Sequence, residues 1–163
     1  MPGMPGRRPS QRLAELGLTL PAVPAPAGAY VPAVEQAGWV WTAGQLPLVD
    51  GTLLATGLVG AEAGPGIVDA ARAAELARVC ALNALAAAAS VIGGIDRIAR
   101  IVKVVGFVAS APGFTAQPKV INGASDLLVE VFGEAGRHAR SAVGVAALPL
   151  GAPVELELLA VPV

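Results

Sequence analysis

From Tyr30 onward the apolar positions alternate with polar ones in two short runs, YVPAVEQAG and WVWTAGQLP, separated by Gln36 to Gly38. That spacing predicts a β-hairpin. The following segment, GQLPLVDGTLLATGLVG, carries Asp50-Gly51, a strong turn signal, and otherwise reads as loop. From Ile67 to about Ile92 the apolar residues recur at helical spacing. Asp69 sits near the positive N-terminal end of this long helix, and Gly93-Gly94 ends it. Arg72, Glu75 and Arg78 form a polar strip on it. Ala73, Ala77, Ala84 and Ala88 form a strip of small residues that lets a helix lie close to a sheet. RIARIVKVVGFVAS is rich in β-formers and predicts a strand, and a second helix is expected from about Thr115 to Phe132. ARSAVGVAALP and PVELELLAVPV read as two more strands, joined by a short turn over Pro149 to Pro153.

The first residues differ in kind. Residues 1 to 9, MPGMPGRRP, are expected to form a mobile arm, and Ser10 is a candidate N-cap for a short helix QRLAEL ending at Gly17. LPAVPAPAGAY is too proline-rich for a helix or a central strand and predicts an extended connector. The expected organisation is an N-terminal arm with a short helix over residues 1–20 and one domain over 21–163. The order β-β-α-β-α-β-β argues for an α+β fold, one mixed sheet with two helices on one face. Nothing in the chain remains to cover the other face, which argues for a closed oligomer.

Composition sharpens this picture. At 163 residues the chain is the size of one domain; folding would leave about 7,500 Å² exposed, against about 23,500 Å² for the extended chain. Hydrophobic residues make up 55% and charged residues 14%, which excludes general disorder and leaves more apolar surface than a small monomer hides. A formal charge of −1 without a basic cluster gives no footprint for a nucleic-acid backbone. One cysteine, Cys80, forbids an internal disulfide and a multi-cysteine zinc site, and one histidine, His138, forbids a two-histidine metal centre, so no metal is expected. The longest apolar stretch, Ala81 to Ile95, runs into Asp96, Arg97 and Arg100 short of the roughly 20 residues a membrane span needs. No signal peptide is read at the N-terminus, where Glu15 and several prolines interrupt any apolar core. A soluble cytoplasmic protein with no membrane partner is the expectation.

Common catalytic motifs are absent: there is no GxSxG, no P-loop and no HExxH. Arg140 stands out, at the start of an apolar strand among Ala139, Ala142, Val143 and Val145. Such an arginine either forms an ion pair at a sheet edge or offers its fork to a ligand carboxylate. Glu155 and Glu157 alternate with Leu156 and Leu158, so both carboxylates share one sheet face. A half-solvated strand explains that pattern, and so does a carboxylate acting on water in a cleft; the spacing does not say which glutamate would do so. Tyr30 is the sole tyrosine and either caps a pocket or packs at an interface, while Asn122 suits a helix end or a pocket wall. Cys80 reads as a small core residue and His138 as a loop residue rather than a catalyst.

These segments, in order GAYVPAVEQAG, WVWTAGQLP, the Ala-rich helix with CALNAL, IVKVVGFVAS, ARSAVGVAALP and VELELLAV, resemble the reactive-intermediate deaminase family, RidA or YjgF. The resemblance covers roughly residues 20 to 163; its most specific parts are the ARS strand, the V-x-x-LP turn and the closing E-x-E strand. It implies a chorismate-mutase-like fold and a homotrimer with three clefts between subunits. It also implies cofactor-free hydrolysis of reactive 2-imino or enamine acids to 2-oxo acids and ammonia. On that resemblance Arg140 would grip the substrate carboxylate, Glu155 would serve the attacking water, and Tyr30, Asn122 and the backbone at Gly44 and Gln45 would line the cleft. Two positions depart from it: Ala43 stands where many members have serine or threonine, and Ala142 where many have cysteine. Thr42 cannot stand in for the hydroxyl missing at Ala43, because neighbouring strand residues face opposite sides. FGEAGRHAR is longer than the usual loop, and the first 20 residues are additional, which suggests a longer subgroup. The competing expectation is a module of the same fold that binds small carboxylates without turnover. Nuclease activity, also attached to the family, has no electrostatic support here.

Overall fold

The computed structural model describes residues 6–163. Its centre is a five-stranded mixed sheet built from β1 (Ala33–Gln36), β2 (Trp39–Thr42), β7 (Ile98–Ala109), β8 (Ala139–Val145) and β9 (Val154–Pro162), in the order β1-β2-β9-β7-β8. The β1–β2 hairpin is the expected one; Ala37 (φ 52°) and Gly38 (φ 79°) take the left-handed conformations of a tight two-residue turn. β9 pairs antiparallel with both β2 and β7, while β8 runs parallel to β7. The two strands read at the end of the chain therefore flank β7 instead of pairing with each other. Two register shifts near the start of β7 interrupt its alternation before Lys103.

Between the hairpin and the long helix lie four short strands where the sequence predicts loop or helix. Leu48–Val49 (β3) and Thr52–Leu53 (β4) pair around Asp50-Gly51, where the turn signal lay. Leu58–Gly60 (β5) and Ile67–Asp69 (β6) pair in parallel. The long helix α2 therefore starts at Ala70 and ends at Ile92. Asp69 is its N-cap, accepting from the Arg72 N–H at 2.8 Å, a contact worth about 1 kcal/mol. Gly93 ends it at φ 87°.

Both α2 and α3 (Gln117–Phe132) pack on one face of the sheet. The alanines at 73, 77, 84 and 88 are buried as expected, together with Leu76, Cys80 and Leu85. Small residues also set how closely α3 approaches: a Cβ on Gly106 of β7 would strike Ile121, and one on Gly123 would strike the Ala74 backbone. By length and composition alone α2 could cross a membrane; here its apolar residues are the core of the domain.

The N-terminal helix α1 spans Pro9–Glu15, with Arg8 as N-cap. Ser10 is not the cap. Its N–H and hydroxyl instead donate to the two oxygens of Asp96 at 2.8 and 2.7 Å, and Gln11 accepts from the Arg8 N–H. Leu13 is buried, and Leu16, Leu18 and Leu20 pack partly buried against the core, so this part of the arm is docked on the domain. Residues 1–5 of the stretch expected to be mobile lie outside the described residues.

The opposite face of the sheet is uncovered. Val34, Trp39, Trp41 and Val143 are each more than 40% exposed, although Val40 between the tryptophans is fully buried. The accessible area is 8342 Å², above the roughly 7,500 Å² that scaling gives for a closed domain this size.

Candidate functional site

Arg140 pairs in the sheet with Val104, whose side chain is buried under the helices, so Arg140 projects toward α3 at the edge strand β8. Its Nη1 donates to Asn122 Oδ1 at 2.8 Å and to Ser125 Oγ at 3.1 Å, and Nη2 donates to the Pro118 carbonyl at 3.4 Å. All three acceptors are neutral. Among the described residues Arg140 makes no ion pair, so the edge-pair reading of this arginine does not hold. Five N–H donors less these three leave the Nε–H and one Nη2–H for another acceptor. A half-buried cation held only by neutral groups is poorly compensated, and an arriving carboxylate would supply the missing charge. Farther along the same face of β8 come Ala142 and Gly144, the latter against the Gln117 amide and the Ser110 hydroxyl, which are themselves 3.1 Å apart.

A second cluster forms around Gly44. The chain after β2 is stitched onto β9 by two backbone bonds, Gln45 N–H to the Leu156 carbonyl (2.7 Å) and Leu156 N–H to the Gln45 carbonyl (3.0 Å). This lays Gly44 against Glu155: a Cβ at residue 44 would overlap the carboxylate Oε1. Asn83 of α2 secures the next turn by donating to the carbonyls of Leu46 and Leu48. The result is a groove of about 370 Å³ in which Tyr30, Ala43, Gly44 and Gln45 face the proline-rich connector and Leu150. Tyr30 is 57% exposed, so it lines this groove instead of packing in the core. Thr42 does not contribute its hydroxyl there, since Oγ1 accepts from the Leu158 N–H at 3.0 Å.

Burial, and then the neighbouring Glu157 charge, raise the Glu155 pKa above its ordinary value. The two glutamates share the open face, but only Glu155 abuts Gly44. Glu157 lines a separate hollow with Trp41, Lys103 and Val105. The geometry thus separates two glutamates that the sequence left equivalent.

The two clusters do not meet within one chain. Glu155 pairs with Phe107, which also pairs with Val143 on the open face, whereas Arg140 faces the helices. Strand spacing and rise put their Cα atoms roughly 14 Å apart, with side chains on opposite sides of the sheet. Arg140 and Asn122 belong to one cluster; Tyr30, Gly44, Gln45 and Glu155 belong to the other.

Sequence reasoning missed Ser125 and underrated His138. The histidine precedes β8 in a loop, as read, but its ring meets Ser125 Oγ at 2.9 Å and the Gly136 carbonyl at 2.6 Å. The partners are 13 residues apart and no motif links them. Cys80 is a core residue: it is fully buried, its Sγ lies 3.9 Å from the Val154 carbonyl, and burial drives its pKa upward.

A mixed sheet backed by two helices on one face defines a chorismate-mutase-like fold. The family described as YjgF/chorismate mutase-like, putative endoribonuclease matches residues 10–161, and the chain belongs to it. It is similar to protein TCP17 of Trypanosoma cruzi, 46% identical over 153 residues that span 93% of this chain and 92% of that one. The crystal structure of Atu1372 from Agrobacterium tumefaciens, a protein of unknown function, superposes with a TM-score of 0.83 at 44% identity, covering 95% of this chain and 92% of that one. A structure of E. coli TdcF with bound serine superposes with a TM-score of 0.60 at 25% identity, covering 88% and 94%.

Proposed function

We propose that the protein hydrolyses reactive 2-imino and enamine acids to 2-oxo acids and ammonia, without a cofactor, in clefts formed between the copies of a homotrimer. The observation that carries this reading is the Arg140 guanidinium, fixed by neutral acceptors with two donors to spare. A planar carboxylate is the ligand whose shape and charge such a fork matches. The TdcF structure, which holds an amino acid, is in keeping with a ligand of this size and class.

Because Arg140 and Glu155 point to opposite sides of their own sheet, the second half of each cleft comes from a neighbour whose Gly44–Glu155 edge approaches β8. The uncovered sheet face supplies the apolar surface for that association. In the assembled cleft Arg140 anchors the substrate carboxylate beside the imine carbon. The Glu155 carboxylate takes a proton from water as its oxygen bonds to that carbon, and the proton passes to nitrogen, giving a tetrahedral amino alcohol. Ammonia then leaves as C=O forms, and the hydroxyl proton returns through Glu155. The balance is imino acid plus water to 2-oxo acid plus ammonia. The imine carbon is already electrophilic, so positioning and one proton carrier suffice. A carboxyl whose pKa is raised is suited to hold and release that proton. Free Cys80 and the metabolite chemistry suit a cytoplasmic setting.

The test generates a 2-imino acid in place with an amino-acid oxidase and follows its disappearance. Wild type should accelerate the loss, Arg140→Ala should abolish that acceleration, and Glu155→Gln should lower kcat by about 10²-fold while leaving 2-oxo acid binding intact. An inactive wild type across several imino acids overturns the reading. If calorimetry then finds 2-oxo acid binding, the protein is a carboxylate-binding module, in line with the missing hydroxyl at Ala43. Cleavage of RNA that survives Arg140→Ala would point to the endoribonuclease activity in the family's description instead.

A further inference from the structure

We infer that His138 is a positioning residue: its neutral imidazole, acting through the Ser125 hydroxyl, holds Arg140 in the orientation that receives a carboxylate, and protonation of the ring loosens that hold. This rests on the reading of Arg140 as the carboxylate clasp.

The proton inventory follows from who can donate. The Gly136 carbonyl can only accept, so the nitrogen 2.6 Å from it, Nδ1, carries the ring hydrogen. In a neutral ring Nε2 is then an acceptor, and the group it meets at 2.9 Å, the Ser125 hydroxyl, must be donating. With its hydrogen committed to His138, Ser125 Oγ turns a lone pair to the Arg140 Nη1–H at 3.1 Å. The chain from Arg140 to Ser125 to His138 to Gly136 thus has one consistent direction. Asn122 takes the second Nη1 hydrogen and completes the grip on that nitrogen.

A protonated ring breaks the direction. Nε2–H would donate to Ser125 Oγ, which then faces two cationic donors, while its own hydrogen loses its acceptor. The surroundings disfavour that state. Arg140 lies on the adjoining strand, and Arg100 of β7 donates to the Arg137 carbonyl at 3.2 Å. In the preceding turn, Arg137 and Glu134 are paired at 3.0 Å and largely exposed. From α3, Glu130 is tied to Arg78 and Asp126 is exposed. Burial first, and the Arg140 charge after it, lower the ring's pKa below its ordinary 6.5, against an opposing contribution from the Gly136 carbonyl. The ring is therefore neutral at pH 7 and protonates only below that ordinary value.

The full chain, labelled with ¹³C and ¹⁵N, supplies a readout that needs no ligand. At pH 7.5 the His138 signals should report hydrogen on Nδ1, and the Arg140 Nη1 hydrogens should exchange and rotate slowly. As His138 titrates below pH 6.5, the Arg140 signals should average. In His138→Gln, whose amide oxygen can accept from Ser125 without titrating, they should stay slow at both ends. Arg140 signals indifferent to the His138 titration, or His138→Gln changing with pH as wild type does, overturn the proposal. A second measurement is the affinity for 2-oxobutanoate by calorimetry at pH 7.5 and at a pH below the His138 midpoint that the spectra give. Wild type should lose about fivefold on acidification, the worth of one ordinary hydrogen bond, while His138→Gln stays within twofold. Glu155 titrates in both proteins and cancels from the comparison. Equal acid losses in the two would overturn the role of His138 and leave the carboxylate site standing. If the spectra behave as expected but no 2-oxo acid binds, the clasp reading fails and the relay stands.

Discussion

Gly44 has room for a hydrogen and little more, because the carboxylate of Glu155 lies where a side chain would begin. The obstructing atom is the end of a flexible side chain, so Gly44→Ala should fold with a stability change below about 1 kcal/mol while pushing that carboxylate aside. The expected outcome is a drop in kcat of about tenfold or more with an unchanged melting temperature, checked by imine turnover beside thermal denaturation. Equal losses of stability and activity would mean that Gly44 is needed only for folding. Arg140 and Glu155 could be picked out in the sequence because each is a charge interrupting an apolar strand. Alternation assigned Glu155 and Glu157 to one face, but it relates residues of a single strand only. Whether Arg140 shares that face depends on the register of β8 and β9 across β7, which no local pattern announces. The His138–Ser125 contact was illegible for a related reason: it joins a loop to a helix, and either residue alone is unremarkable in composition.

The helix pair α2 and α3 was readable from period, and its spacing depends on one small residue. Gly123 lies where a Cβ would meet the Ala74 carbonyl, which is backbone and cannot rotate away. Gly123→Ala should therefore push the helices apart and destabilise by about 2 kcal/mol or more, seen as a lower urea midpoint. Since α3 carries Asn122 and Ser125, the variant should also weaken 2-oxo acid binding. The short strands β3 to β6 were not readable: with two or three residues each, they exist because a turn or a helix start brings them together, not because of intrinsic preference. Ser10 shows a similar override, since a carboxylate 86 residues away takes the hydroxyl that local rules would have assigned to capping.

The open sheet face was deducible by elimination, as the chain has two long helices and both fit on one side. Its chemistry is now specific. Trp39, Trp41, Val34 and Val143 stand out from a face that also carries Lys103, Ser141 and Glu157, with Lys103 Nζ 3.1 Å from Ser141 Oγ. If this surface joins the copies of a trimer, light scattering on wild type should give about three times the chain mass. Trp41→Glu, at a position 55% exposed in the single chain, should yield folded monomers that neither bind 2-oxo acids nor turn over imines. A trimeric Trp41→Glu would show that the copies meet elsewhere.

The order in which the strands are laid down has its own consequence. Residues 154–162 are made after the other strands described above, yet they occupy the middle of the sheet and hold β2 and β7 together. A chain in which these residues are not yet made carries the hairpin and the β7–β8 pair with no strand between them and their inner edges bare. It cannot close its sheet until β9 is in place, and until then those edges are open to chaperones or to wrong pairing with other nascent chains.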